Sequence, residues 1–382
     1  MRRTALPSEN GFTLTELLVA LVIGTLLATA VFTFFLNSSQ IITNQSTTSD
    51  MFQRGRNALA LVRQAVESAG FGLPQAANCP NGIAAYNAKQ STTSPFSMTA
   101  ITASVQSGSA YDPTALSQID TYSLMTVTGG ASFGNAPAAQ ISSIPSISSQ
   151  RVFLTTTAFI NSGDLFIVQI PGQACLMAQA TNLLPNGNGL GIVHNSGLSN
   201  YKPSGGFQTL ANSIYPSLGL TSTAFAGANL IDLGSNNFTI NQFTIGDNGG
   251  TATPTLYLTQ YTANQGTGTR QALARGVVDL QLEYGLGSNG AITQWVLPKN
   301  YTASVTQQIL AVRIAMLVRS TRYMPNETSP ASFAMPAPTG QTQSYSVPQN
   351  NGPGCLQGDC RHYAYHLFES VVPVRNNIWS GP

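Results

Sequence analysis

A long apolar run near the amino terminus constrains this chain more than any other feature. Leu17 to Leu36 is 20 residues without a charged side chain. At about 1.5 Å per residue, a helix of that length crosses a hydrocarbon core about 30 Å thick. A short leader ending at Gly11 comes before the run, whereas the cleavage site of a secretory signal peptide comes after its apolar region. We therefore expect the apolar run to remain in the mature protein as a helical anchor.

Two arginines in the leader predict the orientation of this anchor. Arg2 and Arg3 favour the cytoplasmic side of a membrane, which directs the residues after the helix outward. The chain is thus expected to be exported and held in the membrane by one helix.

The residues from Gly11 to Leu36 resemble the prepilin signature of type IV pilins and type II secretion pseudopilins: a glycine, a phenylalanine, a glutamate five residues after the glycine, and an uninterrupted apolar run. The resemblance implies cleavage by a membrane peptidase between Gly11 and Phe12 and N-methylation of Phe12. It also makes Glu16 the signature glutamate. The competing interpretation, an ordinary single-pass anchor, leaves Glu16 without a purpose, although a carboxylate in an apolar run costs a few kcal/mol without a partner.

Glu16 has a physical use once the leader is removed. The new cationic amine of Phe12 lies one helical turn from Glu16. In a bundle of such helices, the carboxylate of one subunit can neutralise the amine of a neighbour, and an unpaired ion there is strongly disfavoured. We therefore hypothesise that this charge pair selects the axial register of subunits during assembly.

Composition describes the remainder of the chain. Charged residues are 8% of the 382, against about 25% in ordinary soluble domains. Nucleic-acid binding normally needs clustered basic residues, and this chain has only three lysines, so no nucleic acid is expected. The 42% hydrophobic content argues against disorder and, with the many small polar residues, favours an extracellular β-rich head. No cofactor is expected.

The four cysteines, Cys79, Cys175, Cys355 and Cys360, lie outside the membrane in this topology. Oxidising compartments favour disulfides, and an even count permits two, with three possible connectivities. We favour Cys355 with Cys360, which are close in sequence within a Pro/Gly-rich loop, and Cys79 with Cys175.

A zinc site is the alternative use of the second cysteine pair. Cys355, Cys360, His362 and His366 form a C-x4-C-x-H-x3-H string. Zinc fingers use the same ligands but with a longer gap between the cysteine and histidine pairs. With the export route also favouring disulfides, we expect no bound metal.

The pattern of apolar residues predicts an α+β fold, in which a long amino-terminal helix packs on an antiparallel β-sheet head with an enlarged β-rich loop region. Helical periodicity returns after residue 50 with Leu59, Val62 and Val66 on one face, and glycines after Ala69 end the helix. The expected segments are a leader (1–11), a transmembrane and filament-core helix (12–36), its amphipathic continuation (37–72), and a head (73–382) with an insertion at about 185–250.

Strands are predicted where β-branched and aromatic residues cluster or alternate. The middle of the chain offers Ile119–Val127, Arg151–Ile160, Leu165–Ile170 and Thr255–Tyr261. Near the carboxyl terminus, two segments alternate with period two and so indicate strands that pack one face on the helix. Their apolar positions are Val278, Leu280, Leu282 and Tyr284, and then Leu310, Val312, Ile314, Met316 and Val318. A final strand is expected over 361–374.

Four blocks together resemble the PilW family of minor pilins, which is related to the minor pseudopilin J of type II secretion. They are LVRQAVESAGFG at the helix end, GVVDLQLEYG, AVRIAMLVRS and YHLFESVVPVRNN. The resemblance implies a pilin that helps to initiate a type IV pilus and sits in its tip complex, with roles in twitching motility and adhesion. Implied partners are other minor pilins, the major pilin, a large tip adhesin, the prepilin peptidase and the inner-membrane assembly platform. Implied locations are the inner membrane, with a periplasmic head, and then the pilus at the cell surface.

Sequence motifs that would indicate an enzyme are weaker than the pilin-like motifs. Residues 130–134 read G-x-S-x-G, but the prolines that follow make the helix of a nucleophile elbow unfavourable. His194 lies in a glycine-rich region and is expected at the surface, and Asp247 begins a turn more readily than a calcium site. Four arginines could form a basic patch, but alternating strand arginines more often lie on a solvated face or pair with Glu283 and Glu369; the four are Arg313, Arg319, Arg322 and Arg375. We expect no enzyme. A secretion pseudopilin and an adhesive, ligand-binding tip module are the alternatives to a pilus subunit.

Overall fold

The structure is a computed structural model that describes part of the chain. The described residues are 13–73, 79, 83–85, 96–106, 120–129, 138–156, 159–170, 175–186, 189–194, 220–235, 238–247, 253–262, 265–288, 290–302, 308–348, 355 and 359–375. The chain divides into two compact units, Met1–Asp50 and Met51–Pro382. The expected α+β fold is confirmed, with one long apolar helix and extensive antiparallel sheets.

Helix α1 spans Leu14–Ser68. Thr13 and Glu16 form a reciprocal cap at its start: the Thr13 N–H donates to Glu16 Oε2 (3.0 Å) and the Glu16 N–H donates to Thr13 Oγ1 (3.3 Å). The helix ends before two glycines with positive φ, Gly70 at 78° and Gly72 at 72°, a conformation that favours glycine. The predicted end of the helix at Ala69 is thus correct within one residue.

The strands of the described residues run in chain order as follows: β1 Ile83–Ala85, β2 Phe96–Met98, β3 Ile101–Val105, β4 Tyr122–Thr128, β5 Ala138–Ser143, β6 Arg151–Leu154, β7 Leu165–Gln169, β8 Cys175–Gln179, β9 Asn182–Asn186, β10 Gly189–Val193, β11 Asn229–Gly234, β12 Thr239–Asp247, β13 Pro254–Thr262, β14 Gln265–Arg275, β15 Val277–Ser288, β16 Ala291–Val296, β17 Gln308–Arg319, β18 Ser332–Met335, β19 Gln343–Ser346 and β20 Tyr365–Pro373. Short 3-10 turns occupy Ser222–Phe225, Pro298–Asn300 and Cys360–His362.

These strands form four sheets within the described part of the chain. The orders are β2-β1-β8-β7-β11-β5-β6-β10-β9, β14-β13-β12-β4-β3, β16-β15-β17-β20 and β18-β19. Of the strand pairs recorded there, β1 with β8 is parallel and the others are antiparallel. The segment 185–250 contributes β10 and β11 to the nine-stranded sheet and β12 to the five-stranded sheet.

The main core lies between the second part of α1, residues 51–68, and two sheets. Met51, Ala58, Val62 and Val66 of the helix are buried in one cluster with residues of the four-stranded sheet and the five-stranded sheet. The contacting side chains include Leu280, Leu282, Ile314, Met316, Phe243 and Leu256. The amphipathic stripe of the helix is therefore buried where sequence periodicity placed it.

The nine-stranded sheet buries side chains on both faces. Phe166 and Val168 of β7 lie in a core of their own sheet, whereas Leu165 and Ile167 pack with Val127 of β4 in a second core. Burial on both faces explains why β7 reads as a continuous apolar run instead of an alternating one.

Two predicted alternations were wrong at one end each. Val278 packs on the face opposite Leu280, because the pairing of β15 with β17 shifts register between Val277 and Asp279. A second shift, between Gly285 and Leu286, places Ile309 in the helix-facing core in place of Leu310. The last strand also begins later than predicted, at Tyr365, because a 3-10 turn occupies Cys360–His362.

Candidate functional site

The first part of α1, residues 14–50, and the residues just before it carry the positions for which the sequence predicts an assembly role. Gly11 and Phe12, the predicted cleavage and methylation positions, lie outside the described residues. Glu16 lies in the first turn of α1, where its Oε2 accepts hydrogen bonds from the Thr13 N–H and from Thr13 Oγ1 (2.8 Å). Those bonds fix the carboxylate at the amino-terminal end of the helix, where a negative charge is favoured by the helix dipole.

The apolar surface of this part of α1 is uncovered within its own unit. Its best 18-residue window has a mean hydropathy of 2.5, and none of that window is buried. Large side chains are exposed around the whole helix, for example Leu17 (62%), Leu27 (62%) and Phe34 (75%). By length and composition this helix can cross a membrane.

Threonine hydroxyls in the same segment are satisfied by the helix itself. Thr29 Oγ1 donates to the carbonyl of Thr25 (2.8 Å), and Thr33 Oγ1 donates to that of Thr29 (2.7 Å). A hydroxyl bonded to its own helix can enter an apolar environment without losing a hydrogen bond to water. These threonines are therefore compatible with lipid or with a packed helix bundle.

The second part of α1 is fastened to the head by close contacts. Gly55 lies against the ring of Phe368 in β20, so closely that a Cβ built on Gly55 would be 2.2 Å from Phe368 Cε2. At the helix end, the Gly70 N–H donates to the carbonyl of Val127 (2.8 Å), and the Gly129 N–H donates to that of Phe71 (2.6 Å). The end of the helix is thus bonded directly to the end of β4.

Two disulfide bonds are present, Cys79–Cys175 and Cys355–Cys360. The first joins the segment after α1 to β8. The second lies in a cluster on the face of the four-stranded sheet away from α1, where the buried Arg319 donates from Nη1 to Cys355 Sγ (2.9 Å). The first bond joins residues 96 positions apart, whereas the second closes a short loop of five positions that ends at the 3-10 turn. A crosslink constrains the unfolded chain, more so for the longer loop.

The structure does not bring the alternative zinc ligands together. Cys355 and Cys360 are bonded to each other, His362 Nδ1 lies 2.6 Å from the carbonyl of Glu327, and the His366 ring packs on Phe52 of α1 at 4.5 Å. Over the described ranges, no group of three or more His, Cys, Asp or Glu side chains is arranged to hold a metal.

Of the enzyme-like residues, His194 corrects a prediction. It was expected at the surface but is 1% exposed, because it directly follows β10 and its N–H donates to the carbonyl of Gln150 (2.9 Å). Burial lowers the pKa of His194 to about 4, so the ring is neutral at neutral pH. The G-x-S-x-G string and the residues after Asp247 lie outside the described part of the chain.

The strand arginines are dispersed and do not form one basic patch. Arg313 pairs with Glu283 as expected, Arg375 lies 3.5 Å from Glu67 of α1, and Arg319 is buried. Sequence reasoning missed the Trp295 ring, over which the Arg313 guanidinium lies at 4.3 Å. The sequence signal for this ring was a lone tryptophan within the short strand Ala291–Val296.

Comparison with known proteins gives two family matches. The model of the prokaryotic N-terminal methylation motif matches residues 6–32, which contain Gly11, Phe12 and Glu16. The PilW family, described as type IV pilus-assembly protein W, matches residues 242–376. No curated protein and no solved structure matches the chain. Strands β13 to β20 fall within the PilW match, whereas the nine-stranded sheet lies outside both matches.

The matched families are structural pilin families rather than enzyme families. The methylation motif stands at the start of an apolar helix, and the PilW match covers the sheet on which the second part of that helix packs. Together the two matches, which cover residues 6–32 and 242–376, support a type IV minor pilin.

Proposed function

We propose that this protein is a structural subunit of a type IV pilus that primes assembly and forms part of the tip complex. The observation that carries the proposal is the division of α1: its first part exposes an apolar surface on every side, and its second part is built into a PilW-type head. A helix of this kind needs other helices or lipid as cover. The subunit has no catalytic role in this proposal.

The proposed location changes during the life of the subunit. The precursor spans the inner membrane once with its head in the periplasm, and the prepilin peptidase cuts between Gly11 and Phe12. The assembly platform then moves the helix from lipid into the filament, next to other minor pilins and the major pilin. A large adhesin is the further partner at the tip.

Glu16 provides the recognition step in this scheme. After cleavage, the methylated Phe12 amine of one subunit is neutralised by the Glu16 carboxylate of another. Both ions are unfavourable in an apolar bundle unless they are paired, so the pair selects one axial register. The Thr13 hydrogen bonds hold the carboxylate in place before the partner arrives.

The test is Glu16→Gln in the full chain, expressed in cells that lack the native gene. Glutamine keeps hydrogen bonding but removes the charge, so cleavage and head folding should be unchanged while crosslinking to partner pilins and piliation fall about tenfold or more. The matched control is Glu67→Gln in the second part of α1, which should leave assembly intact. Wild-type crosslinking and piliation in Glu16→Gln would contradict the register role.

The processing step has its own measurement. Replacing Gly11 with leucine should block the peptidase, so intact mass spectrometry should find the precursor, heavier by the leader, in the membrane fraction. Mature protein beginning at Phe12 in that variant would exclude the assigned site.

The nine-stranded sheet favours one alternative function, an adhesive or ligand-binding role. This sheet has its own core and lies outside both family matches, so minor pilin assembly as such does not require it. The test is to replace exposed residues of this sheet, such as Asn229 and Gln140, with bulky charged residues and to measure capture of the adhesin. Unchanged capture would argue against that role. Deletion of the gene distinguishes a pilus subunit from a secretion pseudopilin. Loss of pili with normal secretion would exclude the pseudopilin.

A further inference from the structure

The four-stranded sheet has an outer face, opposite the face that packs on α1. On the inner face, Leu282, Tyr284 and Ile314 lie in the same core as the helix. The alternate positions, Glu283 and Arg313, pair across β15 and β17 and face outward, and Val371 of β20 stands opposite Arg313. Part of this outer face is covered by the Cys355–Cys360 cluster, which contains Ala315 and Leu317.

A second part of the outer face is open, and we call it the outer patch. It consists of Ile292 and Trp295 of β16, Arg313 of β17, and Glu369 and Val371 of β20, with Glu283 beneath. The patch is continuous, because Ile292 and Trp295 both lie against Gly285, two residues after Glu283 on β15. Ile292 is 41% exposed and Val371 is 53% exposed, which makes them two of the few large apolar side chains exposed in the described head.

The centre of the outer patch is rigid. The Arg313 guanidinium lies over the Trp295 ring at 4.3 Å, and its Nη1 donates to Glu283 Oε2 at 2.5 Å. Glu283 is almost fully buried, so it fixes the arginine from below while the tryptophan fixes it from the side. Tryptophan and arginine held in place and rimmed by exposed aliphatic groups are the composition that dominates binding energy in protein interfaces.

The outer patch has an excess of acid. The outer patch contains two carboxylates, Glu283 and Glu369, and one guanidinium, and the described residues give Glu369 no ion pair. Burial raises the pKa of Glu283, Arg313 opposes that rise, and Glu369 adds to it. The second oxygen of Glu283, Oε1, is buried and has no hydrogen-bond partner among the described residues. A basic group brought to Glu369 would offset this excess.

This charge balance narrows the choice of occupant. An acidic patch is repelled by anionic lipid headgroups, so a membrane surface is disfavoured. In a two-fold symmetric dimer, Glu369 of one copy would approach the same region of the other, so a second copy is also disfavoured. A different protein with a basic and an apolar side chain fits best.

We propose that the outer patch is the docking surface for the head of a different pilin-like subunit, which places an apolar side chain on Trp295 and Val371 and a lysine or arginine beside Glu369. This proposal rests on the proposed function, because it presumes a complex of pilin-like subunits. It assigns the heterologous head contact to the PilW-matched sheet rather than to the nine-stranded sheet.

The test is photo-crosslinking in the full chain, in its native cells. A benzophenone amino acid is placed at Val371 and, as the matched control, at Gln271, which is exposed on β14 of the five-stranded sheet. We expect the Val371 probe to crosslink a protein whose mass spectrum shows an N-methylated amino terminus and a sequence different from this chain, and the Gln271 probe to give at least tenfold less of that product. Crosslinks only to lipid, to a second copy or to a protein without that terminus, or no crosslink, would overturn the proposal.

Charge reversal separates this surface from general loss of structure. Glu369→Lys should reduce the Val371 crosslink about tenfold, Glu369→Gln should reduce it less, and Glu327→Lys, an equal charge change on an exposed loop, should leave it unchanged. Equal effects of all three would contradict the charge argument.

Gene deletion distinguishes failure of the pilus assignment from failure of the docking surface. If deletion of the gene abolishes secretion but not piliation, the pilus assignment fails, whereas a positive Val371 crosslink still supports the docking surface. If pili are lost and Val371 gives no pilin-like product, only the docking surface fails.

Discussion

The two parts of helix α1 differ in how much of their apolar surface the protein buries, although they form one continuous helix. From Leu14 to Leu36 the large apolar side chains are 46–80% exposed within the described chain, and the hydroxyls of Thr25, Thr29 and Thr33 bond to the helix itself. From Met51 to Ser68 one stripe is buried to 7% exposure or less, and most of the exposed side chains are polar or charged. The first part is uniformly apolar, and the second part is amphipathic.

The difference shows which cover each part requires. An amphipathic stripe is satisfied by one sheet-covered side, and the head supplies it. A helix that is apolar all round must be surrounded, and none of the most apolar 18-residue window of the first part is buried. We therefore expect the first part to need lipid or other helices and the second part to need its own head, so the two parts should respond differently to the same substitution.

Val62→Asp gives the largest expected effect on the head. Val62 is fully buried among Leu280, Ile314 and other apolar groups, and the new carboxylate would have no cation there. We expect a loss of about 4 kcal/mol in the free energy of unfolding, or no folded head. The measurement is urea unfolding of the full chain in detergent, with tryptophan fluorescence as the signal. Leu61→Asp is the matched control, since Leu61 is 45% exposed and should lose less than about 1 kcal/mol; similar losses in the two variants would contradict the buried stripe.

Leu27→Asp makes the same kind of change in the first part of α1. Leu27 is 62% exposed within the chain, so urea unfolding of the head should not change. Membrane insertion should become less favourable by about 3 kcal/mol, because a carboxylate near the middle of a spanning helix is costly. Carbonate extraction of membranes measures the retained fraction. Destabilisation of the head by Leu27→Asp would show that the two parts of the helix are not independent.

The comparison also shows how far the sequence could predict the molecule. Period-3.6 and period-two patterns located the second part of α1, β15 and β17, because alternate strand residues pack in the core that the helix shares. The same patterns failed at Val278 and Leu310, since register shifts rotate a strand without changing its composition. The order of the nine-stranded sheet was out of reach, because its strands are short and some pair across long separations, such as β1 with β8 and β5 with β11.

Site residues were predictable only where a local pattern carries them. Glu16 follows from its fixed distance to Gly11 and from its place in an apolar run. The Arg313–Glu283 pair was one of several pairings that alternating strands allow, and the Trp295 ring beside it depends on how β16 folds back on β15. The buried Asp279 was read only as part of an alternating strand; its contact with Thr121 joins segments 158 positions apart.

The sheet that covers the second part of α1 contains an ionisable group that should make the cover pH-dependent. Asp279 is fully buried and accepts hydrogen bonds from Thr121 Oγ1 (2.7 Å) and Gln281 Nε2 (3.0 Å), while the nearby Lys299 pairs with Asp120. Burial raises the pKa of Asp279 to about 7. Between its unfolded value of 3.8 and about 7, the folded protein keeps a proton that the unfolded chain has lost, so stability falls as pH rises through this window.

Asp279→Asn should remove this dependence. From pH 4 to pH 8 the wild-type protein should lose on the order of 3–4 kcal/mol through this one group, and the asparagine variant should lose correspondingly less. Urea unfolding of both proteins at matched pH values gives the difference directly. Stability curves that run parallel over this range would show that Asp279 does not titrate there. Leu27→Asp, in the uncovered part of α1, should follow the wild-type curve.

Gly55→Ala is the smallest expected effect and the closest probe of how tightly the head covers the helix. The new methyl group would lie 2.2 Å from Phe368 Cε2, so the ring in β20 must move or the helix must shift. We expect a loss of about 1–2 kcal/mol, since overpacking is offset in part by the higher helix propensity of alanine. Replacing Phe368 by leucine in the same chain should restore part of that loss. Gly24→Ala is the matched control in the first part of α1, where nothing lies within 4 Å of the new methyl group, so head unfolding should not change. Equal stability of Gly55→Ala and Gly24→Ala would mean that Phe368 does not press on the helix, and the close cover of the second part would have to be abandoned.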